Sequence, residues 1–159
     1  MDIYSIMQLA TQSVAIIAIY DIWFYLTHVL LHTKYFYNRI HYIHHQTPYQ
    51  KLQWYHTYVS HIVEDTLQYG AFAIPPFFYE TPWKNANFWI AMMCAASVCT
   101  VRGLARHDHR AKWLVGDHHL LHHKYPESNY SEWWVDYLCG TLYVTPPPIP
   151  GKSVEYRQY

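Results

Sequence analysis

The chain has 159 residues, 52% of them hydrophobic and 14% charged, an apolar balance for a single domain of this length. Formal net charge is zero, so no electrostatic argument points to a nucleic-acid partner. Cys94, Cys99 and Cys139 are odd in number and lack CxxC spacing, which argues against a disulfide framework or a thiolate zinc site and leaves small apolar side chains.

Mean hydropathy is only −0.18, low for an integral membrane protein, because thirteen histidines and seventeen tyrosines pull the average down. Individual segments therefore decide. The first, Ile3 to about Leu31, is long enough to cross a bilayer core of about 30 Å as a helix, although Gln8, Gln12 and Asp21 interrupt it. It lacks a basic n-region and is too long for a cleavable signal peptide. Asp21 lies seven residues before His28, two turns up the same face, so a buried partner is expected for its carboxylate.

Next come "HVLLH" (28–32) and "HYIHH" (41–45), then two more apolar stretches, Thr66 to Tyr79 and Ala86 to Val101. These read as a helical hairpin turning at "ETPWKN", with Pro75 and Pro76 kinking or ending the first arm. "ARHDHR" and "HHLLHH" follow, and the Pro-rich stretch 146–159 reads as an extended tail after a domain spanning 1–145. Ten of the eleven Lys and Arg residues, all but Lys84, fall on the histidine-bearing side of such an arrangement. The positive-inside tendency makes that side cytoplasmic and argues against a soluble three-helix bundle. Tyr35, Tyr37, Trp54, Tyr55, Trp113, Trp133 and Trp134 near the boundaries suit a membrane-interface belt.

Neither histidine run is terminal or monotonous, so a tag or low-complexity tract is set aside, and metal binding or pH sensing remains. His28 and His32 stand at i and i+4; His41, His44 and His45, and again His119, His122 and His123, stand at i, i+3 and i+4. Such spacing turns several imidazoles toward one helical face. Eight or more imidazoles exceed the three or four ligands of one tetrahedral zinc, so two metals are implied. Imidazole suits iron, copper, nickel and zinc alike, and the near absence of carboxylates in the ligand stretches separates this design from soluble di-iron bundles.

"HVLLH", "HYIHH" and "HLLHH" (119–123) resemble the three histidine boxes of the fatty acid hydroxylase and sterol desaturase superfamily, integral-membrane non-haem di-iron oxygenases. "DIWFYLTHVLLH" is similar to the lead-in to the first box, "SHIVED" (60–65) to an HP-x-E element, and "SNYSEWWVDYLCGTLY" (128–143) to the family's ending, with Ser131 where the family has Gly. The resemblance spans about residues 20–143 and lacks the further N-terminal helices usual in the family.

It implies an all-α integral membrane protein of about three membrane-embedded helices, with a cytoplasmic histidine-rich helical cap holding a dimetal site. The metal ligands it implies are His28, His32, His41, His44, His45, His107, His119, His122 and His123, with His107 preferred to His109 by its place before Arg110. His61, His109 and His118 stand as possible further ligands or supports. Metal-bound histidine usually donates its second N–H, and Glu64 and Asp136 are chosen for that duty from the carboxylates near the boxes. His56, with no box partner, reads as an interfacial residue.

The implied cofactors are two iron ions, with zinc able to substitute, and O2 as co-substrate. The implied reaction is hydroxylation or desaturation of a lipid C–H bond, of sterol type or fatty-acyl, with carotenoid hydroxylation as an alternative. No flavin or nicotinamide motif is present, so a separate electron donor, such as a cytochrome b5-type protein with its reductase, is expected. The membrane is the endoplasmic reticulum in a eukaryote or the inner membrane in a bacterium. A non-catalytic histidine-rich metal-binding membrane protein is the alternative from another class; it gives no reason for three ordered boxes with the downstream ending.

Overall fold

A computed structural model of the chain describes residues 2–78 and 85–144. No β-strand occurs among them. Helix α1 spans Ile3–Leu31, opened by Asp2, whose Oδ1 accepts from Ser5 N at 2.8 Å. Its 29 residues extend about 43 Å. Helix α4 spans Ala86–Arg106, opened by Asn85 Oδ1 on Phe88 N at 3.1 Å. The remaining helices are short: α2 Lys34–Tyr37, α3 Ile62–Tyr69, α5 Lys112–Val115, α6 His118–Lys124 and α7 Trp133–Cys139.

Among the described residues only α1 and α4 are long and apolar enough to cross a membrane. They pack on one another through a stripe of α1 residues at four-residue spacing, Gln12, Ile16, Tyr20, Phe24 and His28, all buried. Phe88, Ala91, Met92 and Ala95 of α4 meet Ile16, and the small alanines let the two backbones approach. Val14, Ile22, Leu26, Met93 and Val98 face outward as exposed apolar side chains. The same α1 stripe changes from apolar to imidazole at its end, so one helical face both forms the core and starts the site.

The expected second membrane segment takes a different form. The chain makes two turns of α3 and then 3-10 turns over Gly70–Ala73 and Pro75–Phe78. Gly70 lowers the helical propensity and Pro75 and Pro76 lack the N–H groups a continuing helix needs. Trp23 Nε1 of α1 donates to Leu67 O at 2.6 Å and holds this arm in place. The third segment runs past Val101 to Arg106. The expected turn at 80–85 lies outside the described residues except for Asn85, as do Lys84 and the 146–159 tail.

Asp21 finds the partner its depth demands. It pairs with Arg102 of α4 and accepts from Trp134 Nε1 at 3.3 Å. Arg102 also meets Glu132 at 3.2 Å, and Glu132 pairs with Arg106. This chain of alternating charge ties α1, α4 and the start of α7 together, where an unpaired charge would cost several kcal/mol. Two of the basic residues counted as topological signals, Arg102 and Arg106, are thus structural ion-pair members. Ser131, the departure from the family ending, donates through Oγ to Asp21 O at 2.7 Å and adds a further tie. Of the residues expected to form a belt, Tyr35, Trp54, Tyr55, Trp113 and Trp133 are exposed, whereas Tyr37 and Trp134 are half-buried, Trp134 being drawn in to Asp21.

Candidate metal centre

The ends of α1 and α4, the 3-10 turn His41–Gln46 and helix α6 converge beneath the α1–α4 pair. They bring nine imidazoles together in two abutting sets. His28, His32, His41, His45 and His122 form one; His44, His107, His119 and His123 form the other; within each set the ligand atoms lie within 4.8 Å of one another. Rings of the two sets touch, with His45 and His123 centroids 4.6 Å apart.

The boxes divide between the sets by a simple rule. Each i, i+4 pair, 28/32, 41/45 and 119/123, stays in one set, and each i+3 histidine, His44 or His122, crosses to the other. In the α-helical box 119–123 residues four apart differ by about 40° in direction, whereas i+3 and i+4 neighbours differ by about 100°, so the His122 ring must point elsewhere. "HYIHH" is a 3-10 turn rather than the α-helix its spacing suggests, and His41 and His44 lie with their rings stacked 5.4 Å apart before diverging.

Backbone acceptors set the tautomers. His28 Nδ1 meets Tyr130 O at 2.5 Å, His122 Nδ1 meets Ser128 O at 2.7 Å, His44 Nδ1 meets Val59 O at 3.2 Å and His107 Nδ1 meets Gly103 O at 2.9 Å. A carbonyl only accepts, so each of these Nδ1 atoms carries the proton and each Nε2 presents a lone pair. His41 Nδ1 faces Glu64 Oε2 at 3.0 Å, close enough to pair but not aligned as a hydrogen bond.

Lone pair then faces lone pair: His28 and His41 Nε2 are 3.0 Å apart, and His44 and His107 Nε2 are 3.1 Å apart. Two acceptors at that distance repel unless a cation lies between them. Metal–nitrogen bonds of about 2.1 Å at right angles set ligand nitrogens roughly 3.0 Å apart, so the spacing is that of ligands around an ion. His123 adds to this, since neither of its buried nitrogens has a hydrogen-bond partner among the described residues. The residues fit a metal ion in each set.

Burial pushes the imidazoles toward the neutral form that binds metal. It lowers His41 and His122 to about 3 and holds His32, His44, His45, His107, His119 and His123 below their ordinary value, with neighbouring imidazoles adding to the effect in these last six. Burial raises the Glu64 carboxyl to about 7, and a cation on the far side of His41 favours its ionised form.

The sequence model described as Fatty acid hydroxylase matches residues 13–141, a span holding all nine clustered histidines. The chain belongs to the fatty acid hydroxylase family. No curated protein and no solved structure matches it. Family membership and two membrane-length apolar helices mark a membrane protein of the lipid hydroxylase and desaturase class, with histidine clusters suited to metal.

Other residues singled out for this fatty acid hydroxylase centre lie outside it. His61 caps α3, its Nδ1 accepting from Val63 N at 3.1 Å, and His109 Nε2 meets Tyr49 O at 2.7 Å. His118 Nε2 meets Asp136 Oδ2 at 3.0 Å and points away from both sets. Of the two chosen carboxylates, Glu64 faces a clustered ring and Asp136 acts one step further out. Asp136 accepts from Tyr130 N at 2.9 Å, Ser131 N at 2.8 Å and Thr141 Oγ1 at 2.6 Å. It thereby fixes the loop whose Ser128 and Tyr130 carbonyls orient His122 and His28. Asn129, at φ 57°, turns that loop and is held by bonds from Nδ2 to His118 O and Tyr143 O. Those carbonyls, with Val59 O and Gly103 O, are the supports sequence reading missed; a backbone acceptor has no side chain to announce it.

A pocket of about 80 Å³ adjoins the centre between α1, α4, α3 and the turn Trp54–Tyr58.

Proposed function

We propose that the protein is a membrane-bound oxygenase holding two non-haem iron ions, which hydroxylates or desaturates a lipid C–H bond with O2, the substrate being sterol-type or fatty-acyl. The observation that carries this reading is the meeting of nine imidazoles in two abutting sets, lone pairs inward, beside a pocket. Hydroxylation consumes the C–H substrate, O2, two electrons and two protons and yields an alcohol and water; desaturation consumes the same and yields an alkene and two waters. Bound ferrous ions supply the redox chemistry that activates O2, which redox-inert zinc, accepted by the same imidazoles, does not.

The chain's own contribution is to hold and orient. The Tyr130, Ser128, Val59 and Gly103 carbonyls keep the Nε2 lone pairs inward, and burial keeps the rings neutral. Tyr20, Phe24 and Cys99 give the pocket an apolar side that limits water. Electrons come from a separate protein, a cytochrome b5-type carrier with its reductase fitting the need. Lys34, Arg39, Lys51, Arg110, Lys112 and Lys124 all lie in the histidine-bearing segments, which supports a cytoplasmic placement of the centre, in the endoplasmic reticulum or a bacterial inner membrane.

Elemental analysis of protein made with iron, joined to lipid analysis of expressing cells with and without oxygen, tests the reading. Two iron ions per chain and oxygen-dependent new hydroxyl or alkene groups are expected. Folded protein with one metal or none, or an unchanged lipid profile, would overturn it.

A further inference from the structure

The charge-free lengths of the two long helices end at one level. Ile3–Tyr20 of α1 and Ala86–Val101 of α4 hold no Asp, Glu, Lys or Arg, and at the usual helical rise they extend about 27 and 24 Å. Next in each helix come Asp21 and Arg102, which pair with one another. A hydrocarbon core of about 30 Å therefore fits between the far helix ends and this pair.

Two short helices flank the long ones at that level. α5 packs against α4, and its Leu114 and Val115 share an apolar groove with Ser97, Val98, Val101 and Arg102. α7 packs against α1, held by Trp134 on Asp21, by Ser131 on the Asp21 carbonyl and by Thr141 on Tyr25 Oη at 3.4 Å. Val135 and Asp136 of α7 are buried, whereas Trp133, Tyr137 and Leu138 are exposed, as are Leu114 and, at 84%, Trp113 of α5. We propose that α5 and α7 are interfacial anchors lying in the membrane plane, their exposed faces seated where headgroups meet acyl chains, and that they fix the hydrocarbon edge at the Asp21–Arg102 pair.

Trp and Tyr settle at that boundary, and an in-plane helix sinks its apolar face about 5–10 Å into it. The lipid layer, rather than a second copy of this chain, is the occupant because both faces continue the outward apolar sides of the long helices, Ile22 and Leu26 of α1 and Val98 and Val101 of α4. His28 lies seven residues past Asp21, about 10 Å along α1, so the anchors hold the metal centre that far outside the hydrocarbon. The inference rests on α1 and α4 crossing a membrane and not on the oxygenase reading.

Site-specific labels read depth. Zinc-loaded full-length protein carrying Cys94→Ser and Cys139→Ser, which remove the two exposed cysteines, receives one bimane label at Leu114→Cys, Tyr137→Cys, Met93→Cys or Lys51→Cys. It is placed in vesicles of phosphatidylcholine brominated either high on the acyl chain or near its end. Met93, exposed about 12 Å inside the proposed edge, is the deep reference, and Lys51, exposed in the Tyr49–Lys51 turn against α6, is the outer one. Labels at Leu114 and Tyr137 should be quenched about twofold more by the high bromines than by the deep ones, the Met93 label in the opposite order, and the Lys51 label by neither. Metal content equal to that of the unlabelled protein marks each variant as folded. Labels at Leu114 and Tyr137 that neither bromine quenches, as under a second copy or another protein, or that follow the depth order of Met93, would overturn the inference. Absence of quenching at Met93 as well would overturn the membrane crossing and the inference with it.

Discussion

The five-histidine and four-histidine sets are built from the same boxes yet supported differently. In the larger set His28 and His122 rest on carbonyls of one loop, itself clamped by Asp136, and His41 Nδ1 faces Glu64 without an aligned hydrogen bond. In the smaller set His44 and His107 have carbonyl acceptors, but the buried Nδ1 atoms of His119 and His123 have no partner among the described residues. The pocket beside the centre is lined by three rings of the smaller set and by none of the larger. The difference teaches that the loop clamped by Asp136 braces rings of one set, while the pocket adjoins the other.

Removing a crossing histidine breaks the comparison most severely. His122→Ala or His44→Ala deletes a ligand from the set opposite its own box, and no nearby ring replaces it. Oxygen-dependent lipid oxidation should fall by at least about 100-fold, and metal content should drop from two per chain to one or fewer, as elemental analysis reads. Activity surviving in either variant would remove the assignment of the centre.

Asp136→Asn sharpens the contrast by loosening only the loop. Metal affinity at the five-histidine set should weaken about 10–100-fold while the four-histidine set keeps its own, giving two separated steps in a competitive chelator titration. A single step shifted for both ions contradicts a separate loop clamp.

Acid should act on the five-histidine set. His41 and His122 sit at about 3 when folded against an ordinary 6.5, so below pH 6.5 the unfolded chain takes up protons that the folded chain refuses. The metal-free protein therefore loses stability as pH falls from 6.5 toward 3, by about 1.4 kcal/mol per pH unit for each such ring. Thermal unfolding at pH 7.5 and 5.5 checks this; above pH 7 the melting temperature should be flat with respect to these groups.

The smallest effect is expected at His56, outside both sets. His56→Ala should leave metal content and most oxidation intact and change stability by about 1 kcal/mol or less, since it loses the His56 Nδ1 acceptor for Gln53 N. Differential scanning calorimetry and the same lipid assay read both.

Much of this was legible from spacing. The bounds of α1 follow from its apolar run between Asp2 and His32, and a buried hydrogen bond at Asp21 follows from the cost of a lone charge at that depth, though not that Arg102 supplies it. All nine histidines taken from the boxes and from "ARHDHR" meet in the centre. Other features depend on contacts that periodicity does not encode. The breakup of the second apolar stretch turns on Gly70, Pro75 and Pro76 acting together with a pin from Trp23. Asp136 neighbours a box in sequence, but its geometry directs it to the loop and to His118. The division of ligands between sets depends on how α1, α4, α6 and the His41–Gln46 turn face one another.

The crossing of His44 and His122 has a consequence for how metal is acquired. An ion entering either set must draw in parts of both HxxHH boxes, so the first to arrive orders backbone that the second also needs. The second then pays less of that ordering entropy, so the filling of one set assists the filling of the other.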